Sequence, residues 1–265
     1  MLRLRPIGFG SAFCTLPMKN NSWYMILNKV MYVFEMPYSN IDWFVRNEEE
    51  FKDYCDKIVV FITHLHEDHI GGLTNFGFLM KYKFNKPVTV YIPPVLFDEL
   101  KEYIHLTSNV DIDTLFNLIF SVIYIDENVR VKHLVVTHDN SMTNFAYLVF
   151  NGKNEDWDFY YSGDSKFFMK AAIDVKLGCF KAFLKHPENR TIYHDITINP
   201  NNKVHCNIEE AVERVPIELR KHIVLMHLDS IKDIYTCREL GFNISPYIEF
   251  LINMEREAFK EAKSK

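Results

Sequence analysis

The ten residues from Thr63 to Gly72 read THLHEDHIGG and bring His64, His66, Asp68 and His69 into a span of six positions. Imidazole and carboxylate groups suit zinc and neighbouring divalent cations, and a hydrolytic site must leave one coordination position to water. The preceding run, Ile58 to Ile62, is continuously apolar, the pattern of a strand buried on both faces. A loop leaving such a strand can turn several side chains toward one point at the sheet edge, where two cations could be held. Gly71 and Gly72 permit close backbone approach, and Leu73, Phe76 and Met80 follow at helical spacing.

Four ligands do not complete two sites, so further donors are expected at the ends of later strands. His138 follows the apolar run Leu134 to Val136, Asp164 follows Phe159 to Tyr161 in the string SGDS, and His227 follows Ile223 to Met226. Three donors at three strand exits form a constellation that one alone would not. The stretch TIYHDIT, followed by KVHCNIEEA, adds acid–base candidates in His194, Asp195 and His205.

The elements that must position these residues are legible in outline. Leu2 to Ile7 alternates as a half-buried strand would, before Gly8 and Gly10 allow a turn near Ser11. Trp23 to Leu27 and Val30 to Phe34 form a hairpin pattern around Asn28-Lys29, closed by Pro37. Pro87 to Ile92 is a further strand, and Leu96 to Ile104 a helix after Pro93-Pro94, while 105–120 shows no decisive period. Phe145 to Phe150 and Phe159 to Tyr161 pair around NGKNED, and Thr191 to Tyr193 is another strand. Asn207 with Glu210 has the spacing of a capping box. Ser245-Pro246 can start a terminal helix carrying Ile248, Leu251, Ile252 and Phe259.

The chain has 265 residues, expected as one domain over 1–265, with 48% hydrophobic and 25% charged residues and enough Phe and Tyr for a large core. A net charge of −5 argues against a large nucleic-acid footprint but is compatible with a small anionic substrate whose charge is met by metal ions. The five cysteines are odd in number and lack a CxxC pair, so they suggest neither a zinc ribbon nor a disulfide framework, and a reducing cytoplasm fits best. Pro6, Gly8 and Gly10 interrupt any apolar leader behind Arg3 and Arg5, and no run is long enough to span a bilayer.

THLHEDHIGG, VVTHD, YYSGDS and LMHLDS resemble, in order, the metal-binding motifs of the metallo-β-lactamase superfamily, over Ile58 through Ser230. The resemblance implies an α/β fold, an αββα sandwich of two mixed β-sheets flanked by helices. It implies that His64, His66 and His138 bind one divalent ion and Asp68, His69 and His227 a second, with Asp164 bridging. Zinc is the expected metal and manganese the alternative. His66 stands where the diiron redox branch carries Glu, which favours hydrolysis over oxygen reduction.

Within the superfamily, the HD pair at His194-Asp195 and the later His205 resemble the HEAT and HST elements of the ribonuclease Z branch, with Asp195 in place of Glu and Cys206 in place of Ser. That resemblance makes Asp68, Asp195 and His205 catalytic, Asp195 and His205 acting together on the scissile phosphate and His205 protonating the leaving oxygen. Only 25 residues separate His138 from Asp164, too few for the arm with which tRNA 3′-end nucleases grip tRNA. The architecture, the opening GFGSAF and Asn20-Asn21-Ser22 are similar to phage anti-Pycsar phosphodiesterases. One departure is Phe34-Glu35-Met36-Pro37, where family members often carry an Asp-Cys-Gly-like element.

The resemblance therefore implies a homodimeric phosphodiesterase of 3′,5′-cyclic nucleotides such as cCMP and cUMP, in the cytoplasm, that of the host if the gene is phage-encoded. A ribonuclease Z-like or general phosphodiesterase is the alternative enzyme, and a nucleotide-sequestering module the non-catalytic one. A lactamase or thioester hydrolase has no use for the Asp195–His205 pair. Phe13, Tyr38, Phe76 and Phe145 are each able to stack on a base or to pack a core, and sequence alone assigns neither role.

Overall fold

The apolar runs become the strands of two six-stranded sheets in a computed structural model that describes residues 2–14, 18–139, 143–152, 154–169 and 178–245, with Ile248 and Asn253. The first sheet holds, in spatial order, β1 (Arg5–Gly8), β2 (Ser22–Leu27), β3 (Val30–Phe34), β4 (Lys57–Phe61), β5 (Val88–Ile92) and β6 (Asn117–Phe120). Its first three strands are antiparallel and β3 to β6 parallel. The second holds β7 (Ile123–Ile125), β8 (Val129–Val136), β9 (Asn144–Asn151), β10 (Phe159–Tyr161), β11 (Thr191–Asp195) and β12 (Ile223–Met226). Here β7 to β10 are antiparallel and β10 to β12 parallel.

Strand β4 shows why the layers form. Val59 and Phe61 point into the space between the sheets, while Ile58, Val60 and Ile62 join a separate cluster with Phe44, Phe76, Leu100 and Ile104 from flanking helical segments. The side-chain period of two therefore buries both faces of the sheet. Helices Cys179–Lys185, Ile208–Arg214 and Ile231–Glu239 bury Phe183, Ala211 and Ile234 in the cluster that contains the second sheet. The result is the expected αββα sandwich of two mixed sheets. Among the described residues no helix is long and apolar enough to cross a membrane.

Differences from the sequence expectation have local causes. The first strand begins at Arg5, because the Leu2 and Leu4 amides donate to Asp158 Oδ1 and the Tyr193 hydroxyl instead of to a neighbouring strand. Asn28 and Lys29 both have positive φ, as a two-residue hairpin turn requires. The helix expected from Leu96 to Ile104 runs Phe97–Ser108, stopped by Asn109 in the left-handed conformation, and the undecided segment also yields β6. Strand β8 starts at Val129, ahead of the expected Leu134, because partly exposed Arg130 and Lys132 obscure its buried face. Asn207 caps its helix by accepting from the Glu209 amide, whereas the full capping box belongs to Ser230 and Asp233. The expected terminal helix lies outside the described residues except for Ile248, which is buried, and Asn253, which is exposed.

Between the sheets, the Phe61 ring centroid lies 5.0 Å from Phe34, 5.6 Å from Tyr91, 5.3 Å from Tyr124 and 5.7 Å from Tyr147, tying both sheets together. Phe61→Ala should cost about 3–5 kcal/mol in denaturant unfolding. A loss below about 1 kcal/mol would show that this contact does not hold the sandwich.

Candidate metal centre

The site assembles where strands of both sheets end. The parallel strands β10, β11 and β12 finish at Tyr161, Asp195 and Met226 on one edge, and Asp164 and His227 leave from there. The β4 exit is stitched to the same edge, since the Phe145 amide donates to Thr63 O at 3.2 Å and the Tyr147 hydroxyl donates to Ile62 O. Gly163 has φ +56°, and a Cβ there would sit 2.7 Å from Phe145 O and 2.8 Å from Thr63, so glycine lets Asp164 approach the histidines.

Asp164 is the centre. Its Oδ2 lies 3.8 Å from His64 Nε2, 3.6 Å from His138 Nε2 and 3.5 Å from His227 Nε2, and its Oδ1 lies 3.3 Å from His69 Nε2. Asp68 Oδ2 is 3.3 Å from His227 Nε2 and 3.5 Å from His69 Nε2. The ligand atoms fall into groups that could each hold a metal ion: His64, His66 and His138 with Asp164; Asp68 with His69 and His227; and Asp164 with His205 and His227. All seven residues singled out as ligands in the sequence are brought together.

The donors fit divalent cations. Both ring nitrogens of His69 and Asp164 Oδ1 are buried without a hydrogen-bond partner, a costly arrangement that a cation would relieve. Burial, reinforced by the charge of His69, holds the His64 pKa well below its usual value. Burial opposes ionisation of Asp164, but His227 and His69 outweigh it and keep the carboxyl ionised. His69 is held well above the usual range: burial works against the charge, and Asp164 and Asp68 overcome it. Without metal, protonated His69 thus balances carboxylates that are already in the form a cation requires.

The second expected unit lies alongside. Asp195 ends β11, and His205 precedes the helix capped by Asn207; His205 Nδ1 is 3.1 Å from Asp195 Oδ2 and 3.8 Å from Asp164 Oδ2. Burial opposes the charge on His205, but the Asp195 hydrogen bond and Asp164 raise its pKa to about 9. Burial likewise opposes ionisation of Asp195, yet hydrogen bonds from His194 and His205 lower its pKa to about 2. Ser162 Oγ donates to Asp195 Oδ1 at 3.2 Å, so both oxygens of this fully buried carboxylate have protein partners. His194 is buried against Phe168, with Nδ1 2.7 Å from Asp195 O.

Several supporting residues had no role in the sequence expectation. His138 Nδ1 is 2.9 Å from Val204 O, which aims Nε2 inward, and His66 Nε2 is 3.4 Å from Asp139. Glu35 and Thr63 are wholly buried beneath His64 and His69. The sequence signals for Glu35 were a carboxylate directly after an apolar strand and its place where family members often carry an Asp-Cys-Gly-like element. Of the four aromatic candidates, Phe76 and Phe145 are buried, whereas Phe13 is 92% and Tyr38 64% exposed. The Phe13 loop borders the cluster: Ser11 Oγ donates to Asp229 Oδ1 at 2.5 Å, and the Cys14 pKa rises to about 11 through burial, Asp229 and Asp68.

Comparison with known proteins adds an independent line. Residues 2–243 match the family model described as Anti-Pycsar protein Apyc1. An Anti-Pycsar protein Apyc1 from Paenibacillus harenae is 26% identical over 259 residues, covering 89% of this chain and 94% of that protein. A diphosphatase of the PhnP family superposes with a TM-score of 0.66 at 14% identity, over 91% of this chain and 94% of its own. The short form of human tRNase Z gives 0.60 at 16% identity, over 87% and 93%. At these identities the two structures speak for the fold alone, and both are matched over nearly their whole length.

In metal-free protein, Asp195→Asn should bring the His205 midpoint down from about 9 toward the ordinary value near 6.5, read from imidazole resonances against pH. Because the folded value exceeds the unfolded one, His205 contributes stability below about pH 6.5 that is lost as pH rises through about 9. An unmoved midpoint would refute the role of Asp195 in holding that proton.

Proposed function

The chain belongs to the Anti-Pycsar protein Apyc1 family, and on that premise we propose that it is a two-metal phosphodiesterase opening 3′,5′-cyclic nucleotides, such as cCMP and cUMP, to linear nucleoside monophosphates. The observation that carries the reading is the Asp195–His205 pair set against the Asp164-centred cluster, 3.8 Å from its carboxylate. We assign His64, His66 and His138 to one ion, Asp68, His69 and His227 to the other, and Asp164 to both. Two divalent cations, zinc or manganese, would lower the pKa of a water molecule and offset charge on the phosphoryl oxygens.

The chain's own residues supply the rest. His205 keeps Asp195 on Nδ1, which leaves Nε2 to donate a proton to the sugar oxygen as its bond to phosphorus breaks. Asp195, with both oxygens engaged inside the protein, acts through His205 instead of touching the phosphate, which sharpens the expectation that the two work together. Asp68 contributes a carboxylate oxygen beside His69 and His227. Phe13, exposed on the loop that borders the cluster, offers a face for the base. The interval between His138 and Asp164 already holds β9 and β10, which favours a small substrate over folded RNA. The reading includes a homodimer in the cytoplasm, that of the host where the gene is phage-borne.

Zinc- or manganese-loaded protein, given cyclic mononucleotides together with precursor tRNA, should yield linear monophosphates by chromatography. Asp164→Ala should lose both bound metal and turnover. His205→Ala should keep its metal while kcat falls about 10²–10⁴-fold. Cleavage of tRNA alone would select the ribonuclease Z alternative, and tight binding with intact nucleotide recovered would select sequestration. Phe13→Ala should raise KM with little change in kcat, since stacking on one base contributes roughly 1–3 kcal/mol; an unchanged KM removes Phe13 from the base site.

A further inference from the structure

Phe13 stands exposed in a turn, yet that turn is pinned at its base by Ser11, which is only 5% exposed. Every polar group of Ser11 is engaged. Its amide donates to Leu228 O at 2.9 Å, and its carbonyl accepts from the Cys14 amide at 3.2 Å and from Asn20 Nδ2 at 2.9 Å. Its hydroxyl donates to Asp229 Oδ1 at 2.5 Å. Cys14 fills the inside of the turn so closely that a Cβ at Gly10 would lie 2.3 Å from its sulfur.

The partners of Ser11 lead straight to the cation cluster. Leu228 and Asp229 are the two residues after His227, and Leu228 also bonds back to Phe9, its amide donating to Phe9 O at 3.1 Å. Ser230 follows at once and caps the helix Ile231–Glu239 with a full capping box, so Asp229 lies between two fixed points. On the other side, Asn20 ties the turn to the segment after Pro37, its amide donating to Ser39 Oγ at 2.9 Å and its carbonyl accepting from Asn40 Nδ2 at 2.8 Å. The backbone contacts survive replacement of the Ser11 side chain, whereas the hydroxyl contact does not. That single hydrogen bond is therefore the separable part of the support. Its purpose follows from binding energetics: a ring that must be ordered as the base arrives gives up part of the stacking energy, and a ring already in place keeps it.

We propose that Ser11 and Asp229 form a clasp that holds the Phe13 turn against the segment leaving His227, so that the face for the base stands at a fixed place relative to the cations. Both are positioning residues that act through Phe13. The proposal rests on the reading of Phe13 as the face on which the base stacks.

The test compares zinc-loaded full chains by turnover of cCMP and by calorimetric binding of cytidine 5′-monophosphate and of ribose 5-phosphate, which has no base. Ser11→Ala should raise KM about 10-fold, the contribution of one hydrogen bond to a carboxylate, with kcat and bound zinc unchanged. Its affinity for the nucleotide should fall in step while that for ribose 5-phosphate holds. Phe13→Ala should show the same pattern, and the double variant should lose no more than Phe13→Ala alone, because the clasp acts only through that ring. Asp229→Asn retains an acceptor and should stay near wild type, whereas Asp229→Ala should match Ser11→Ala. In metal-free protein, hydrogen exchange at the Cys14 amide should quicken in Ser11→Ala. Losses that add in full, equal weakening of ribose 5-phosphate, an Asp229→Asn chain as impaired as Asp229→Ala, or unchanged Cys14 exchange would overturn the clasp. If Ser11→Ala does not fold, the Asp229 pair decides. A Phe13→Ala chain that binds nucleotide as wild type does would instead overturn the base reading, and the exchange measurement, made without metal or nucleotide, separates the two failures.

Discussion

Asp164 is a buried carboxylate with five histidine nitrogens between 3.3 and 3.8 Å from it: those of His64, His69, His138, His205 and His227. Such a centre is electrostatically expensive, because groups that would otherwise be hydrated are confined together in a low-dielectric interior. Three of the neighbours are anchored from behind. His64 is backed by Thr63, His138 by Val204 O and His205 by Asp195. Backbone strain is spent here too, with His227 and Glu35 at positive φ beside a glycine that only Asp164's approach requires.

The two sheets make that anchoring possible. Phe34, Phe61, Tyr147 and Tyr161 fill the space between them with large rings. Stiff aromatic packing leaves little freedom for one sheet to shift against the other, and the donors arrive on both. Thr63 and the histidines after it come from β4 in the first sheet, whereas Asp164, Asp195 and His227 leave β10 to β12 in the second. A shift of about 1 Å between the sheets would separate the two halves of the centre, so the core and the site form one mechanical problem.

Glu35 illustrates the same coupling at the level of single contacts. A carboxylate with no direct view of substrate reaches both donor groups by one hydroxyl and one close approach. Outer groups of this kind orient ligands and decide which nitrogen is free, a property that a ligand inventory omits.

The candidate ligands were legible in sequence because hydrolytic metal chemistry demands particular residue types, and strands deliver them at recognisable exits: THLHEDH after an apolar run, SGDS after FYY, His227 after IVLM. The αββα arrangement was expected from the resemblance those motifs carry to the metallo-β-lactamase superfamily. What the sequence alone could not decide were features set by contacts distant along the chain. Strand β1 lost Leu2 and Leu4 to Asp158 and Tyr193, some 150 to 190 positions away. Strand β8 hid its first half behind Arg130 and Lys132. Glu35 looked like a mere deviation until Thr63 and His69 were placed against it. Local periodicity records which faces are buried, but only the assembled tertiary structure determines which buried polar groups meet, because hydrogen-bond partners are chosen by proximity in space.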